Sequence, residues 1–227
     1  MDYSGDMVDT SAMLPALVRR WQIGWGLSRG LPTATDDGEA LRVELGLPNR
    51  YREIIALTAD TDPQSVYSLA SEAARDPQRV WLTVPTCFPQ TVEVALKTEG
   101  LRLFDGHERM MTARLTDNPT RDVPGGYTIS TEREGALIRA VVRHRVGVVA
   151  ARGIMALTGT DAIAHNIHTV PSYRRMGLAS ALMSALCRVA IAAGAVTGIL
   201  IASPQGEQLY TALGWSPVAS VVAARNS

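Results

Sequence analysis

Residues 171–183 read PSYRRMGLASALM and join an apolar, strand-like segment to an apolar, helix-like segment. Pro171 interrupts strand pairing because it has no N–H to donate, and Gly177 allows a tight turn with close approach of the backbone. From Leu178 to Ala193, apolar residues recur three and four positions apart, which predicts a helix with one buried face. This stretch therefore predicts a strand–loop–helix unit, the building block of α/β proteins.

The start of the predicted helix has the properties of an anion site. The first N–H groups of a helix have no intrahelical partners, and the helix dipole adds about half a positive charge there. Arg174 and Arg175 bring two guanidinium groups to the same end, and guanidinium groups bind phosphate oxygens well. The alternative is that both arginines are ordinary solvated loop charges, because the loop is neither a Walker A loop nor a GxGxxG motif.

Apolar patterning along the rest of the chain predicts an α/β fold with a mixed central sheet flanked by helices. Each half is predicted to end in the order strand, helix, strand, helix, strand, which indicates a diverged tandem repeat. The first half is predicted to begin with a helix near Met13–Arg20 and a strand at residues 21–27. Turn-forming residues concentrate between the halves. We therefore predict a first half at residues 1–118, a linker at 119–126 and a second half at 127–227.

Composition excludes several classes of function. Lys+Arg and Asp+Glu balance at 22 each, so no overall positive field favours nucleic acid or anionic membrane. The N-terminal residues lack the apolar core of a signal peptide, and the longest apolar run is shorter than the roughly 20 residues of a membrane span. Cys87 and Cys187 lie far apart without a Cys/His cluster, which argues against a metal site. We expect a cytoplasmic protein without a metal.

Residues 169–179, TVPSYRRMGLA, resemble motif A of the GCN5-related N-acetyltransferases (GNAT). The family pattern Arg/Gln-x-x-Gly-x-Gly/Ala falls on Arg174, Gly177 and Ala179. In that family, the backbone amides of this loop wrap the pyrophosphate of acetyl-coenzyme A, and the preceding strand pairs with pantetheine. The coenzyme-binding residues that the resemblance implies are Ile167, His168, Thr169, Val170, Arg174, Arg175, Met176, Gly177, Leu178, Ala179, Ser180 and Ser203.

Residues 202–215, ASPQGEQLYTALGW, are similar to motif B of the same family. Tyr210 matches the tyrosine that often protonates the departing coenzyme A thiolate; the alternative role for its ring is packing against Trp215. Two positions depart from the pattern, because Ser203 stands where many members have asparagine and Gly206 where alanine is usual. The resemblance is strong over about residues 146–224.

A histidine on the strand before motif A is the candidate general base. Strict alternation places Ile163, His165, Ile167 and Thr169 on one face of this strand and Ala164, Asn166, His168 and Val170 on the other. His165 lies nine residues before Arg174. In this spacing the chain resembles the arylalkylamine acetyltransferases of the family, in which a histidine at this place helps to deprotonate the amine. Histidine titrates near neutrality, which suits this role. The alternatives are a half-buried structural His165, or a base at His168, Glu132 or Glu134.

The resemblance implies direct transfer of acetyl from acetyl-coenzyme A to the primary amine of a small molecule, by a monomer or homodimer. The first half carries Asp60 and Asp62 where motif A would have glycines and cations, and these acids repel a pyrophosphate. We therefore predict that the first half is non-catalytic and shapes the acceptor site. Alternatives are a protein or peptide N-acyltransferase that uses another acyl-coenzyme A, and a non-catalytic acyl-coenzyme A sensor.

Overall fold

The computed structural model of the chain describes residues 10–227, so the expectation about a signal peptide at the N-terminus lies outside the described residues. The helices are α1 Thr10–Arg29, α2 Pro63–Arg75, α3 Pro89–Thr98, α4 Leu178–Ala192 and α5 Pro204–Ala212. The strands are β1 Thr35–Asp36, β2 Ala40–Leu47, β3 Arg50–Ala56, β4 Val80–Thr86, β5 Arg102–Leu103, β6 Glu108–Arg114, β7 Tyr127–Glu134, β8 Leu137–His144, β9 Val149–Thr158, β10 Asp161–Thr169, β11 Thr197–Ala202 and β12 Ser216–Arg225. The chain divides into two compact units.

The first unit consists of Ala34–His107 and Val218–Ser227, together with α1 as far as Arg19. Its strands lie in the order β1-β2-β3-β4-β12, and β5 also pairs with β12. Only β3 and β4 pair in parallel, as a strand–helix–strand connection through α2 requires. Helix α2 begins at Pro63 after the N-cap Asp62 and buries its apolar stripe in the core of this unit.

The second unit consists of Arg20–Thr33 and Glu108–Pro217. Its strands lie in the order β6-β11-β10-β9-β8-β7, with β10 and β11 parallel and the other pairs antiparallel. Helix α4 packs on one face of this sheet, where Leu182 and Leu186 are fully buried against the strands. This packing fixes the start of α4 at the end of β10.

The prediction of two GNAT-like halves is not confirmed. Residues 218–227 complete the first unit although they end the chain, and residues 20–33 belong to the second. The side-chain amide of Asn226 anchors the end of the chain in the first unit, because it donates to the carbonyl oxygens of Ala73, Asp76 and Gln78. The units therefore draw on both ends of the chain.

The predicted strand at residues 21–27 is wrong, because α1 continues through it to Arg29. Trp21 and Trp25 are both buried and lie one helical turn apart, with their ring centroids 5.6 Å apart. A Cβ at Gly24 would lie 2.6 Å from side-chain atoms of Ile163, so only glycine lets the helix approach β10 this closely. Trp and Ile favour strands by residue type, but their spacing here is helical.

Candidate active site

Strands β10 and β11 separate after a short parallel ladder. They pair only from Asp161 with Thr197 to Ile163 with Ile199. Beyond this point β10 continues beside β9, and β11 continues beside β6. Among the described residues, the edge of β10 that faces β11 therefore carries backbone N–H and C=O groups without a strand partner from about Ala164 onward. Such groups need hydrogen bonds, and a ligand with amide groups can supply them.

Both helices that follow these strands begin at the same edge of the sheet, because β10 and β11 are parallel. Helix α4 starts after Gly177, whose φ of 75° lies in the left-handed region. Arg175 also has a positive φ, 62°, which is uncommon for a residue with a side chain. Within residues 10–227, no side chain caps the N-terminus of α4. Its first N–H groups are therefore left for an external acceptor.

The loop between β10 and α4 presents two cations. Pro171–Tyr173 form one 3-10 turn, and the N–H of Arg174 closes it by donating to the carbonyl of Pro171 at 3.2 Å. The side chains of Arg174 and Arg175 are exposed, and neither forms an ion pair within residues 10–227. The Arg174 Nε lies 3.4 Å from the carbonyl oxygen of Thr169. Positive charge therefore collects beside the uncapped end of α4.

Aromatic side chains pack against this loop. The ring of Tyr173 lies 6.1 Å from that of Tyr127 and 6.0 Å from that of His144, between centroids. The Tyr127 hydroxyl donates to the Met176 sulfur at 3.3 Å. The segment predicted as a linker also packs here, because the Ser184 hydroxyl on α4 accepts from the backbone N–H of Arg121 at 2.9 Å. The loop is thus held on several sides.

A β-bulge changes the predicted faces of β10. His165 pairs with Ile154 and His168 with Arg152, so two residues of β10, Asn166 and Ile167, lie opposite the single Gly153 of β9. Asn166 has a φ of 53°, which asparagine tolerates better than most residues. Alternation therefore shifts by one residue at this point.

The predicted face assignment beyond residue 165 is consequently wrong. A Cβ on Gly153 would lie 2.5 Å from Ile167 Cδ1 and 3.0 Å from Leu182, so Ile167 faces α4. Directly paired residues share a face, which places Thr169 with buried Ala151 on the α4 side. His165 and His168 instead both lie on the face opposite α4. His165 is half-buried and His168 is exposed.

Tyr210 lies on α5 with its ring buried. Its centroid is 6.1 Å from that of Trp215 in an edge-on arrangement, so the predicted packing contact exists. Its hydroxyl forms no hydrogen bond within residues 10–227. Burial raises the pKa of Tyr210 to about 12, so the phenol keeps its proton at neutral pH. A proton donor near a departing anion needs this property.

The two departures from motif B have structural causes. The Ser203 hydroxyl caps α5 by accepting from the N–H of Gly206 at 3.2 Å, a role that asparagine also fills. A Cβ on Gly206 would lie 3.2 Å from Tyr210 Cε2 and 3.3 Å from the Ser203 hydroxyl. Glycine at 206 therefore gives the Tyr210 ring its space.

The thiol of α4 and the tryptophans of α1 lie in the core. Cys187 is buried in α4, and burial raises the pKa of its thiol to about 12, which makes it unsuitable as a nucleophile at neutral pH. Trp21 and Trp25 are buried and pack on each other. Among the described residues, no group of three or more His, Cys, Asp and Glu side chains is placed to hold a metal ion. None of the helices in residues 10–227 combines the length and apolarity of a membrane span.

The motif A residues follow one another along the end of β10, the loop and the start of α4, but their side chains differ in environment. Ile167 and buried Leu178 point into the core, so only their backbone groups are available to a ligand. Two features were missed from the sequence. Arg152 lies opposite His168 on β9, and Tyr127 reaches the loop from the start of β7. Finding either requires the strand register, which depends on the bulge.

Comparisons with known proteins identify the family and the fold of the chain. The model of the Acetyltransferase (GNAT) family matches residues 98–215 of the 227-residue chain, more than half of its length. No match is found among curated proteins. Similar solved structures include a GCN5-related N-acetyltransferase from Kribbella flavida, 15% identical over 97% of this chain and 96% of that one, with a TM-score of 0.68.

A GCN5-related N-acetyltransferase from Sphaerobacter thermophilus is 14% identical over 95% of this chain and 93% of that one, with a TM-score of 0.58. A tandem GNAT protein from the clavulanic acid biosynthesis pathway is 13% identical over 82% of this chain and 77% of that one, with a TM-score of 0.59. These likenesses show the α/β fold with its mixed sheet. Members of the matched family are acyltransferases that normally use an acyl-coenzyme A donor. The chain belongs to the Acetyltransferase (GNAT) family.

Proposed function

We propose that this protein transfers the acetyl group of acetyl-coenzyme A directly to the primary amine of a small molecule. One observation carries the proposal: the N-terminus of α4 has no side-chain cap within residues 10–227 and lies at the end of the open edge of β10. Arg174 and Arg175, which form no ion pair within the same residues, lie beside it. A coenzyme has a pyrophosphate for the first feature and pantetheine amides for the second. Neither feature is needed for the packing of the sheet.

In this proposal the coenzyme is held mostly by backbone groups. The backbone groups of residues 167–170 on the open edge of β10 pair with pantetheine, although the Val170 N–H itself donates to the Ala150 carbonyl. The N–H groups of residues 175–180 bind the pyrophosphate. The side chains of Arg174 and Arg175 add charge-assisted hydrogen bonds to phosphate oxygens. Met176, Gly177, Leu178, Ala179 and Ser180 form the rest of the cradle. Ser203 orients the start of α5 beside it.

The chemistry needs a neutral amine and a proton for the leaving group. The amine nitrogen attacks the thioester carbonyl, so the C–N bond forms as the C–S bond breaks. His165, on the face opposite α4, accepts the amine proton through water. Tyr210 gives its proton to the coenzyme A thiolate, because its phenol is protonated at neutral pH. No acyl-enzyme forms in this scheme, which agrees with the burial of Cys187.

We further propose that residues 127–227 carry the catalytic site and that residues 1–118 are non-catalytic and help to select the acceptor. The loop after β3 supports this division, because it carries carboxylates that accept backbone N–H groups of the first unit. Asp60 accepts the N–H of Cys87 at 2.8 Å, and Asp62 accepts the N–H of Gln64 at 3.1 Å. We propose a cytoplasmic monomer or homodimer without a metal.

Thermal-shift measurements with acetyl-coenzyme A, coenzyme A and ATP test the donor, and thiol release across a panel of amines tests the reaction. We expect stabilisation by both coenzymes, none by ATP, and acetylation of at least one small amine. Absence of stabilisation by either coenzyme contradicts the whole proposal. Stabilisation without turnover on any amine indicates a sensor instead. Preference for longer acyl donors or for peptide amines indicates the other acyltransferase function.

A further inference from the structure

The face of the second unit opposite α4 carries an arginine that the proposed chemistry does not use. Arg152 lies on β9 between Gly153, which faces α4, and Ala151, which is buried in the core on the α4 side. Alternation places Arg152 and Ile154 on the opposite face. Arg152 is exposed although β9 is an interior strand, with β8 and β10 on either side.

The register puts Arg152 beside the candidate base. It pairs directly with His168 on β10 and with Val141 on β8. His165 pairs with Ile154, the next residue of β9 on the same face, so Arg152 and His165 are diagonal neighbours. Residues in this relation lie about 7–8 Å apart, a separation that the long arginine side chain can span. The bulge at Asn166 creates this grouping, because it turns His168 to the same face.

No acid within residues 10–227 compensates the charge of Arg152. The neighbouring cation on this face, Arg139, forms an ion pair with Glu134 at 3.2 Å. Arg152 has no ion pair or side-chain hydrogen bond within residues 10–227. Half-buried Val141 and Ile154 flank it, so a ligand here is partly shielded from water. Strand β10 separates Arg152 from the gap beside β11, which makes it a poor ligand for pantetheine.

We propose that Arg152 binds a carboxylate of the acceptor, so that the substrate is a small amino acid and not a simple amine. The planar guanidinium binds a carboxylate through two parallel hydrogen bonds, which also orients the molecule. With the carboxylate on Arg152, the amine of the same molecule is held near His165. This inference rests on the proposed acetyltransfer and adds the identity of its acceptor class.

The test compares free amino acids with their amides and with the decarboxylated amines, in wild type and in Arg152→Ala. For at least one amino acid, we expect the ratio of its kcat/KM to that of its amide to be tenfold or more lower in Arg152→Ala than in wild type. Most of this change should be a higher KM for the amino acid. Because the intrinsic reactivity of each amine is the same in both proteins, the change in this ratio isolates the carboxylate contact. Arg152→Lys is expected to retain part of the preference. Arg188→Ala, which removes an exposed arginine from α4, is the matched control and should leave the ratio unchanged.

Three results would overturn the inference while the proposed acetyltransfer stands. The first is an unchanged ratio in Arg152→Ala, and the second is an equal loss with acids, amides and decarboxylated amines. The third is a weaker Kd for acetyl-coenzyme A in the variant, which would make Arg152 a coenzyme ligand. Coenzyme binding without acetylation of any amine in wild type would instead contradict the proposed function, and this inference would fall with it.

Discussion

The loops after β3 and β10 occupy equivalent places in their units, since each joins a strand to a helix that precedes a parallel neighbour. After β3, Asp62 caps α2 and Asp60 accepts the N–H of Cys87. After β10, no side chain caps α4, and Arg174 and Arg175 have no partner acids within residues 10–227. In the first unit, the carboxylates of this connection accept backbone N–H groups, and we call it the closed loop. In the second unit, the N–H groups at the start of α4 remain available to an external anion, and we call this connection the open loop.

The largest expected effect is the loss of coenzyme affinity when the open loop is altered. Arg174→Ala combined with Gly177→Trp removes a cation and forces a bulky residue into a left-handed conformation at the start of α4. We expect the Kd for acetyl-coenzyme A to rise by at least about a hundredfold, because charge-assisted contacts and backbone donors are lost together. Isothermal titration calorimetry measures this change.

The controls separate binding from folding. The melting temperature without coenzyme shows whether the double variant folds. If the double variant does not fold, Arg174→Ala alone, which leaves Gly177 in place, tests the site and is expected to give a smaller rise in Kd. Arg188→Ala on the exposed side of α4 should bind as wild type does. Unchanged binding by a folded double variant would refute the assignment of this loop as the coenzyme site.

The second prediction separates binding from proton transfer. Tyr210→Phe keeps the ring that packs on Trp215 and removes only the hydroxyl. We expect kcat to fall about ten- to a thousandfold, as for loss of a general acid, with the Kd for acetyl-coenzyme A unchanged. Steady-state kinetics and calorimetry on the same preparation measure both quantities. Full activity of Tyr210→Phe would mean that another group protonates the thiolate.

Residue order and motif spacing predicted most of the second unit. The loop from Pro171 to Gly177 lies where the sequence predicts it, and α4 ends at Ala192, one residue before its predicted end at Ala193. These elements follow from local signals: proline, glycine and helical periodicity. The contrast between acidic and basic loops was also readable, because charge is a property of the residues themselves.

The missed features depend on contacts distant in sequence. The bulge at Asn166 requires Gly153 on another strand, where a Cβ would clash with Ile167. The second part of α1 packs Gly24 on Ile163, which overrides the strand preference of its neighbours. Placing β12 in the first unit depends on pairing with β4, more than a hundred residues earlier. Strict alternation and local propensity contain none of this information.

The third prediction concerns the pH dependence of stability that comes from buried groups in the second unit. Burial raises the pKa of the Cys187 thiol from 9.0 to about 12. A group whose pKa is higher in the folded state contributes stability below its unfolded pKa, and this stability is lost as pH rises through the folded value. We expect the free energy of unfolding to fall between pH 9 and pH 12, by about 2 kcal/mol at pH 10.5 from this thiol.

Cys187→Ala tests the origin of this loss. Urea unfolding at pH 8 and pH 10.5 should show a smaller pH-dependent decrease in the variant than in wild type. Tyr210, with its pKa raised to about 12, contributes in the same direction above pH 10, so some decrease remains. Identical decreases in both proteins would show that Cys187 does not stay protonated in the fold.

The smallest expected effect tests the closed loop. Asp62→Ala removes the side chain that accepts the N–H of Gln64 at the start of α2, and we expect a loss of about 1 kcal/mol in the free energy of unfolding. Asp62→Asn keeps the cap without the charge and should restore most of this stability. Neither variant should gain affinity for coenzyme A, because Asp60 still occupies the adjacent N–H of Cys87 and no arginine projects from this loop. A measurable gain in affinity for coenzyme A in Asp62→Asn would show that the carboxylate charge of Asp62 alone keeps the first unit from binding the coenzyme. The difference between the two loops would then depend on this one residue.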